Sequence, residues 1–183
     1  MAKNFNVRVG TPNPVRLSYA HLLKPYASDA NLEPKYSVMM MIPKADKATH
    51  KALMDAAKEC FENNAAMFKG YDLEDLFTIN DGDGKSPKGK RYGDENHGYW
   101  LRNASNKRKP KVIDKAQNEI IDEEDVYSGC WAKVGLTLYP YAVNGNVGIG
   151  ASLDLVMKVR DDEPLGGVAS VDDYFTTDDD DDI

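Results

Sequence analysis

Residues 82–86 read GDGKS, the ending of a phosphate-binding loop, in which the lysine would reach a nucleotide's phosphates and the serine its magnesium ion. That loop needs a glycine five residues before Gly84 so that backbone N–H groups can turn onto the phosphates, and Ile79 stands there. The overlapping residues 80–84, NDGDG, resemble the start of a calcium loop. Counting from Asp81, however, puts Lys85 at the fifth ligand position and Tyr92 at the twelfth, where a bidentate glutamate belongs. His21, His50 and His97 have no pair spacing, and His50 is expected to be a solvated helix residue. Cys60 and Cys130 form no C-x-x-C pair; both fall on apolar faces and read as buried thiols. Asp122, Glu123, Glu124 and Asp125, or Asp81 with Asp83, could serve a metal-dependent nuclease, but an acidic run before a strand is more often a solvated turn. No nucleophile stands at a recognisable spacing from a base. The expectation is a protein that is not an enzyme and holds no metal or cofactor, with a nuclease as the catalytic alternative.

A different chemistry is carried by rings and bases together. Between Tyr127 and Tyr139, alternate residues are Ser128, Cys130, Ala132, Val134, Leu136 and Leu138, a small and mostly apolar set. If these face a core, then Tyr127, Gly129, Trp131, Lys133, Gly135, Thr137 and Tyr139 face outward. Upstream, Tyr92, Tyr99 and Trp100 are interleaved with Lys88, Lys90, Arg91, Arg102, Lys107, Arg108, Lys109 and Lys111, while Arg16 points outward from an earlier strand. Rings can stack on bases at about 1–3 kcal/mol each without regard to sequence, and cations can track phosphates. That combination suits single-stranded nucleic acid. The competing reading for any one ring is a place in a second small core or a dimer interface.

The charge distribution bears on the same surface. The chain has 183 residues and a net charge of −7, but seven aspartates lie from Asp172 onward with no base among them. The remaining body holds 23 acids and 23 bases. Within it, residues 85–115 carry ten Lys/Arg against Asp94, Glu95 and Asp114. An acidic end (Asp178, Asp179, Asp180, Asp181, Asp182, then Ile183) can compete with an external polyanion for the basic middle.

The elements that must position these residues follow from periodicity. Residues 4–10 and 15–20 alternate with period two, separated by a Pro/Asn turn, and residues 35–44 form a third strand ended by Pro43. From Asp46 to about Lys69, apolar residues recur at three- and four-residue steps before Gly70, the pattern of an amphipathic helix. Residues 80–98 form a long Gly/Pro-rich charged loop. Four further strands follow, of which the last two, in residues 126–141 and 147–161, are long and contain glycines suited to bends. The predicted fold is mainly β with one inserted α-helix, an OB-like, partly open antiparallel barrel over residues 1–167, with a disordered acidic tail over 168–183. The longest apolar run, VMMMI, is too short to span a membrane, so a cytoplasmic location is expected.

Three stretches, KYSVMMMIPK, HGYWLRNASNKRKPKVID and VYSGCWAKVGLTLYPYAVNGNVGIGASLDLVMKVRDDEPLGG, together with VRLSYAHLLKP near the start, resemble bacteriophage single-stranded DNA-binding proteins of OB fold. The resemblance spans most of residues 5–167. It implies non-catalytic coating of single-stranded DNA in phage replication, recombination or repair, often as a dimer, so a homodimer is a possible state; weaker duplex binding is expected from the residues themselves, which include no element shaped to read a groove. It also implies that the acidic tail moderates DNA binding and recruits replication or recombination proteins. Many such tails end in phenylalanine; this one ends in Ile183. An RNA-binding or strand-annealing role uses the same chemistry.

Overall fold

The computed structural model describes residues 5–165. The expected tail, including Asp178, Asp179, Asp180, Asp181, Asp182 and Ile183, lies outside the described residues. The strands are β1 (Val7–Gly10), β2 (Val15–Tyr26), β3 (Lys35–Pro43), β4 (Asn80–Asp81), β5 (Tyr99–Asn106), β6 (Lys111–Ile113), β7 (Trp131–Val143) and β8 (Asn146–Arg160). They form one curled sheet in the order β1-β7-β2-β3-β5-β8-β6, with β4 on β5 and a further pairing of β7 with β8. The sheet stays partly open because two joins are short. Strands β2 and β7 share two register pairs, and β5 and β8 share one, Ser105 with Ser152. Asn106 staples the latter join through its Nδ2, which donates to Ser152 Oγ at 3.0 Å and to the Leu153 carbonyl at 3.1 Å. The antiparallel expectation fails at one strand: β8 runs parallel to β5 and to β6.

Helix α1 (Lys47–Asn63) starts where Asp46 accepts from the Thr49 amide at 3.1 Å, and it buries Leu53, Ala56, Ala57 and Cys60 at helical spacing. It ends earlier than its apolar pattern suggests. The chain turns through residues 64–70, with Gly70 at φ +88°, into the short helix α2 (Leu73–Leu76). The core gathers Val38, Met40 and Ile42 of β3, Val134, Leu136 and Leu138 of β7, and Ile149, Leu153 and Val156 of β8 against that helix face. Both cysteines are buried and free, and burial pushes both thiols up from their ordinary pKa.

Two local features set the site. Strand β7 does not begin at Tyr127: Gly129 at φ +117° turns the chain, and a Cβ there would stand 2.3 Å from the Glu163 carbonyl oxygen. At its other end, β7 passes into β8 through Asn144 and Gly145, at φ +51° and +81°, the two-residue turn that matches strand twist. This turn pins the hairpin register, pairing Tyr141 with Gly148 and Tyr139 with Gly150.

Candidate nucleic-acid interface

Alternation along β7 works as the sequence suggests on its inner face, where Ala132, Val134, Leu136 and Leu138 are at most 2 % exposed. The outer face is not uniform. Lys133 and Tyr139 are exposed, but Trp131 is only 9 % exposed, which corrects the expectation of a displayed ring. Its indole N–H donates to Asp162 at 2.8 Å, the Arg160 guanidinium lies 4.4 Å from its ring centre, and the Tyr99 ring lies 6.5 Å away.

The cover is the chain that leaves β8. Residues 160–165 form a strap across the start of β7. Arg16 donates to the Gly129 carbonyl at 3.0 Å and to the Glu163 carbonyl at 2.8 Å, with Asp162 at 3.9 Å. The Tyr127 hydroxyl donates to Asp161 at 2.9 Å, Lys158 pairs with Asp161 at 2.7 Å, and the Leu165 amide donates to the Ser128 carbonyl at 2.8 Å. Arg16 and Tyr127, expected as nucleic-acid contacts, are therefore engaged by the strap in this structure. Charge agrees with the geometry. Lys158, then Tyr127, hold the Asp161 carboxyl below its ordinary pKa, and the Trp131 N–H is the first cause lowering that of Asp162. Burial, then Asp161, push the Tyr127 phenol up.

Next to the strap is a second small core of Met39, Met41 and Leu101, against which Tyr92, Tyr99 and Leu165 pack. Trp100 follows Tyr99 on β5 and so faces the other way, where its ring packs 4.2 Å from His50 on the helix. Tyr99 and Trp100 thus do not share one platform, and His50 is a packing partner instead of a solvated residue. Arg102, two residues on, also faces inward at the rim of the core. Its guanidinium sits 4.4 Å from the Phe77 ring centre, and Nη1 donates to the Thr78 carbonyl at 3.1 Å. Burial lowers its pKa while the Tyr141 and Tyr139 phenols favour its charge.

The open part of the outer face lies toward the hairpin tip. Lys133, Tyr139 and Tyr141 are exposed along about 26 Å of strand, at about 3.3 Å per residue. The sequence reading missed Tyr141, which sits two residues past Tyr139 on the same face; the Asn-Gly turn was the available signal that the strand continued. Exposed bases stand on two further segments. Arg108, Lys109 and Lys111 are exposed beyond β5, and Lys107 there pairs with Glu33 at 3.0 Å. Lys88, Lys90 and Arg91 are exposed on the long loop, where the Ser86 amide donates to the Lys90 carbonyl at 2.7 Å. At its base, Lys44 bridges Asp81 at 2.6 Å and Asp83 at 2.5 Å, while the Gly98 amide donates to Asp83 at 3.1 Å. Both carboxyls are held below their ordinary pKa by Lys44, so the acids that could suit a nuclease serve as a loop clamp.

A separate cleft of about 1080 Å³ runs between residues 18–26 and 123–128. It displays Tyr19, 67 % exposed at a β2 bulge with φ +47°, and Tyr26. Glu95, Glu123 and Glu124 line it with only Lys24 among lysines and arginines, and that lysine already pairs with Glu123 at 3.7 Å. Such a rim repels phosphates.

A curled β sheet with a ring-and-base face and no clustered metal ligands among the described residues can now be set against known proteins. A family model described as the ssDNA-binding protein of Enterobacter phage Enc34 matches residues 7–183. The chain belongs to this family. The structure of the single-stranded DNA-binding protein from bacteriophage Enc34 in complex with ssDNA is 30 % identical, with a TM-score of 0.67 over 91 % of this chain and 96 % of that one. Another structure of the Enc34 protein gives a TM-score of 0.64 at 30 % identity, covering 96 % of each chain. The single-stranded DNA-binding protein gp2.5 of bacteriophage T7, at 18 % identity, shares the fold with a TM-score of 0.57 over 89 % of this chain and 97 % of that one. Among curated proteins, none matches the chain. No helix among the described residues of this Enc34-family chain is long and apolar enough to cross a membrane.

Proposed function

We propose that the protein binds single-stranded DNA without sequence preference and without cleaving it, coating strands exposed in phage replication, recombination or repair in the host cytoplasm. The observation that carries this reading is the open strip of Lys133, Tyr139 and Tyr141 on β7, with further exposed bases at Arg108, Lys109, Lys111 and on the long loop. The Enc34 protein solved with ssDNA supports it. Rings take unpaired bases and cations take phosphates, so binding to a duplex, which offers no free base faces, is weaker. The acidic tail acts as an internal polyanion that competes with DNA and, once displaced, recruits replication or recombination proteins. A homodimer is compatible with this role.

Labelled oligo-dT, a matching duplex and an oligo-U strand, each incubated with the protein with and without magnesium, test the reading. Retarded but intact oligo-dT, an affinity that falls steeply with salt, and weaker duplex binding are expected. Cleavage that requires magnesium, or tighter binding to oligo-U than to oligo-dT, contradicts it.

A further inference from the structure

We propose that Tyr139 and Tyr141 form a two-base stacking subsite whose ring positions are set by Gly150 and Gly148 on the partner strand. This deepens the single-stranded DNA reading and rests on it. The two rings lie 6.3 Å apart, inclined at 51°, and are 38 % and 37 % exposed. Each lies across its cross-strand partner: a Cβ on Gly150 would stand 2.3 Å from Cζ of Tyr139, and one on Gly148 would stand 2.5 Å from Oη of Tyr141. Both glycines are buried although they sit on the outer face, because the phenols cover them. A ring lying on bare backbone has one side supported and the other free. Two such rings in succession offer neighbouring platforms to successive bases.

The surroundings favour a nucleotide over a neutral partner. The Tyr141 and Tyr139 phenols favour the charged form of Arg102, whose Nε is buried with no hydrogen-bond partner. Phe77 and Thr78 fix that guanidinium in place. The Asn144-Gly145 turn locks the register, so the tyrosines and glycines cannot slip past each other.

Gly148 and Gly150 do not occupy the left-handed region, so alanine fits the strand backbone and only the mobile phenol end must move. This separates ring position from ring presence. Fluorescence anisotropy with oligo-dT should show Tyr139→Ala and Tyr141→Ala each weakening binding by roughly 5- to 150-fold. Tyr141→Phe should stay within about twofold of the parent. Gly148→Ala should weaken binding in the parent but add nothing in a Tyr141→Ala background, as expected of two residues acting through one ring. Thermal melts identify variants that fail to fold; should a glycine variant do so, the tyrosine pair alone decides. A parent that binds oligo-dT while Tyr141→Ala binds it equally well overturns the subsite and leaves the proposed function standing. Full additivity of Gly148→Ala with Tyr141→Ala overturns the glycine role. A parent that binds no single-stranded DNA overturns both readings.

Discussion

Trp131 and Tyr139 stand on the same strand and the same face, eight residues apart, yet one is 9 % exposed and the other 38 %. The difference comes from chain that is remote in sequence. At the Trp131 end, residues 160–165 fold back and spend Arg16, Tyr127 and the indole N–H on their own carboxylates and carbonyls. At the Tyr139 end, the β7–β8 hairpin runs beyond the strap, and two glycines let the rings lie down without being covered. Strand alternation thus assigns a face, while exposure depends on what crosses that face. One end of the strip is closed by the protein itself and the other is available.

The contrast can be broken from either side. Leu136→Ala, on the buried face between them, should cost about 2–5 kcal/mol in denaturant unfolding. Trp131→Ala should cost about 3 kcal/mol, the lower end for a buried aromatic, because the ring sits at the rim of the sheet under the strap. Tyr139→Ala should leave stability nearly unchanged and cost about 1–3 kcal/mol of single-stranded DNA affinity in a titration. Deleting residues 172–183 removes seven negative charges and should raise affinity for single-stranded DNA, and for duplex proportionally more, with the gain shrinking as salt rises. Equal affinities across a salt series would confine the aspartates to other roles. The smallest effect concerns pH. Asp161 and Asp162 have lowered carboxyl pKa values, so their hold on the strap is complete above the ordinary value of about 3.9 and is lost as pH falls through the lowered values. With Trp100→Phe leaving Trp131 as the sole indole, its fluorescence should be constant from neutral pH down to about 4 and change below that. Asp162→Asn should show the released signal already at neutral pH.

Much of the fold was legible because it rests on local periodicity. The alternation in β7 and at the start of β2, and the helical spacing of Leu53, Ala56, Ala57 and Cys60, report which side is buried, whereas the apolar run of β3 is buried on both faces. What was not legible depends on long-range placement. Nothing near Arg16 in sequence reveals Glu163 as its partner, and nothing near Trp131 reveals Arg160 and Asp162. Trp100 could have been separated from Tyr99 by period two alone, since neighbours in a strand face opposite sides. The parallel pairing of β8 with β5 and β6 left no mark in composition, and the clamp of Lys44 on Asp81 and Asp83 joins residues almost forty apart.

Where the bases lie decides between the β7 strip and the acid-rimmed cleft. Oligo-dT carrying 5-iodouracil, photocrosslinked to the full chain and mapped by peptide mass spectrometry, reads that position directly. Crosslinks at Tyr139 and Tyr141, extending to Trp131 when Asp162→Asn loosens the strap, are predicted. Crosslinks confined to Tyr19 and Tyr26 would contradict this and place the DNA in the acid-rimmed cleft.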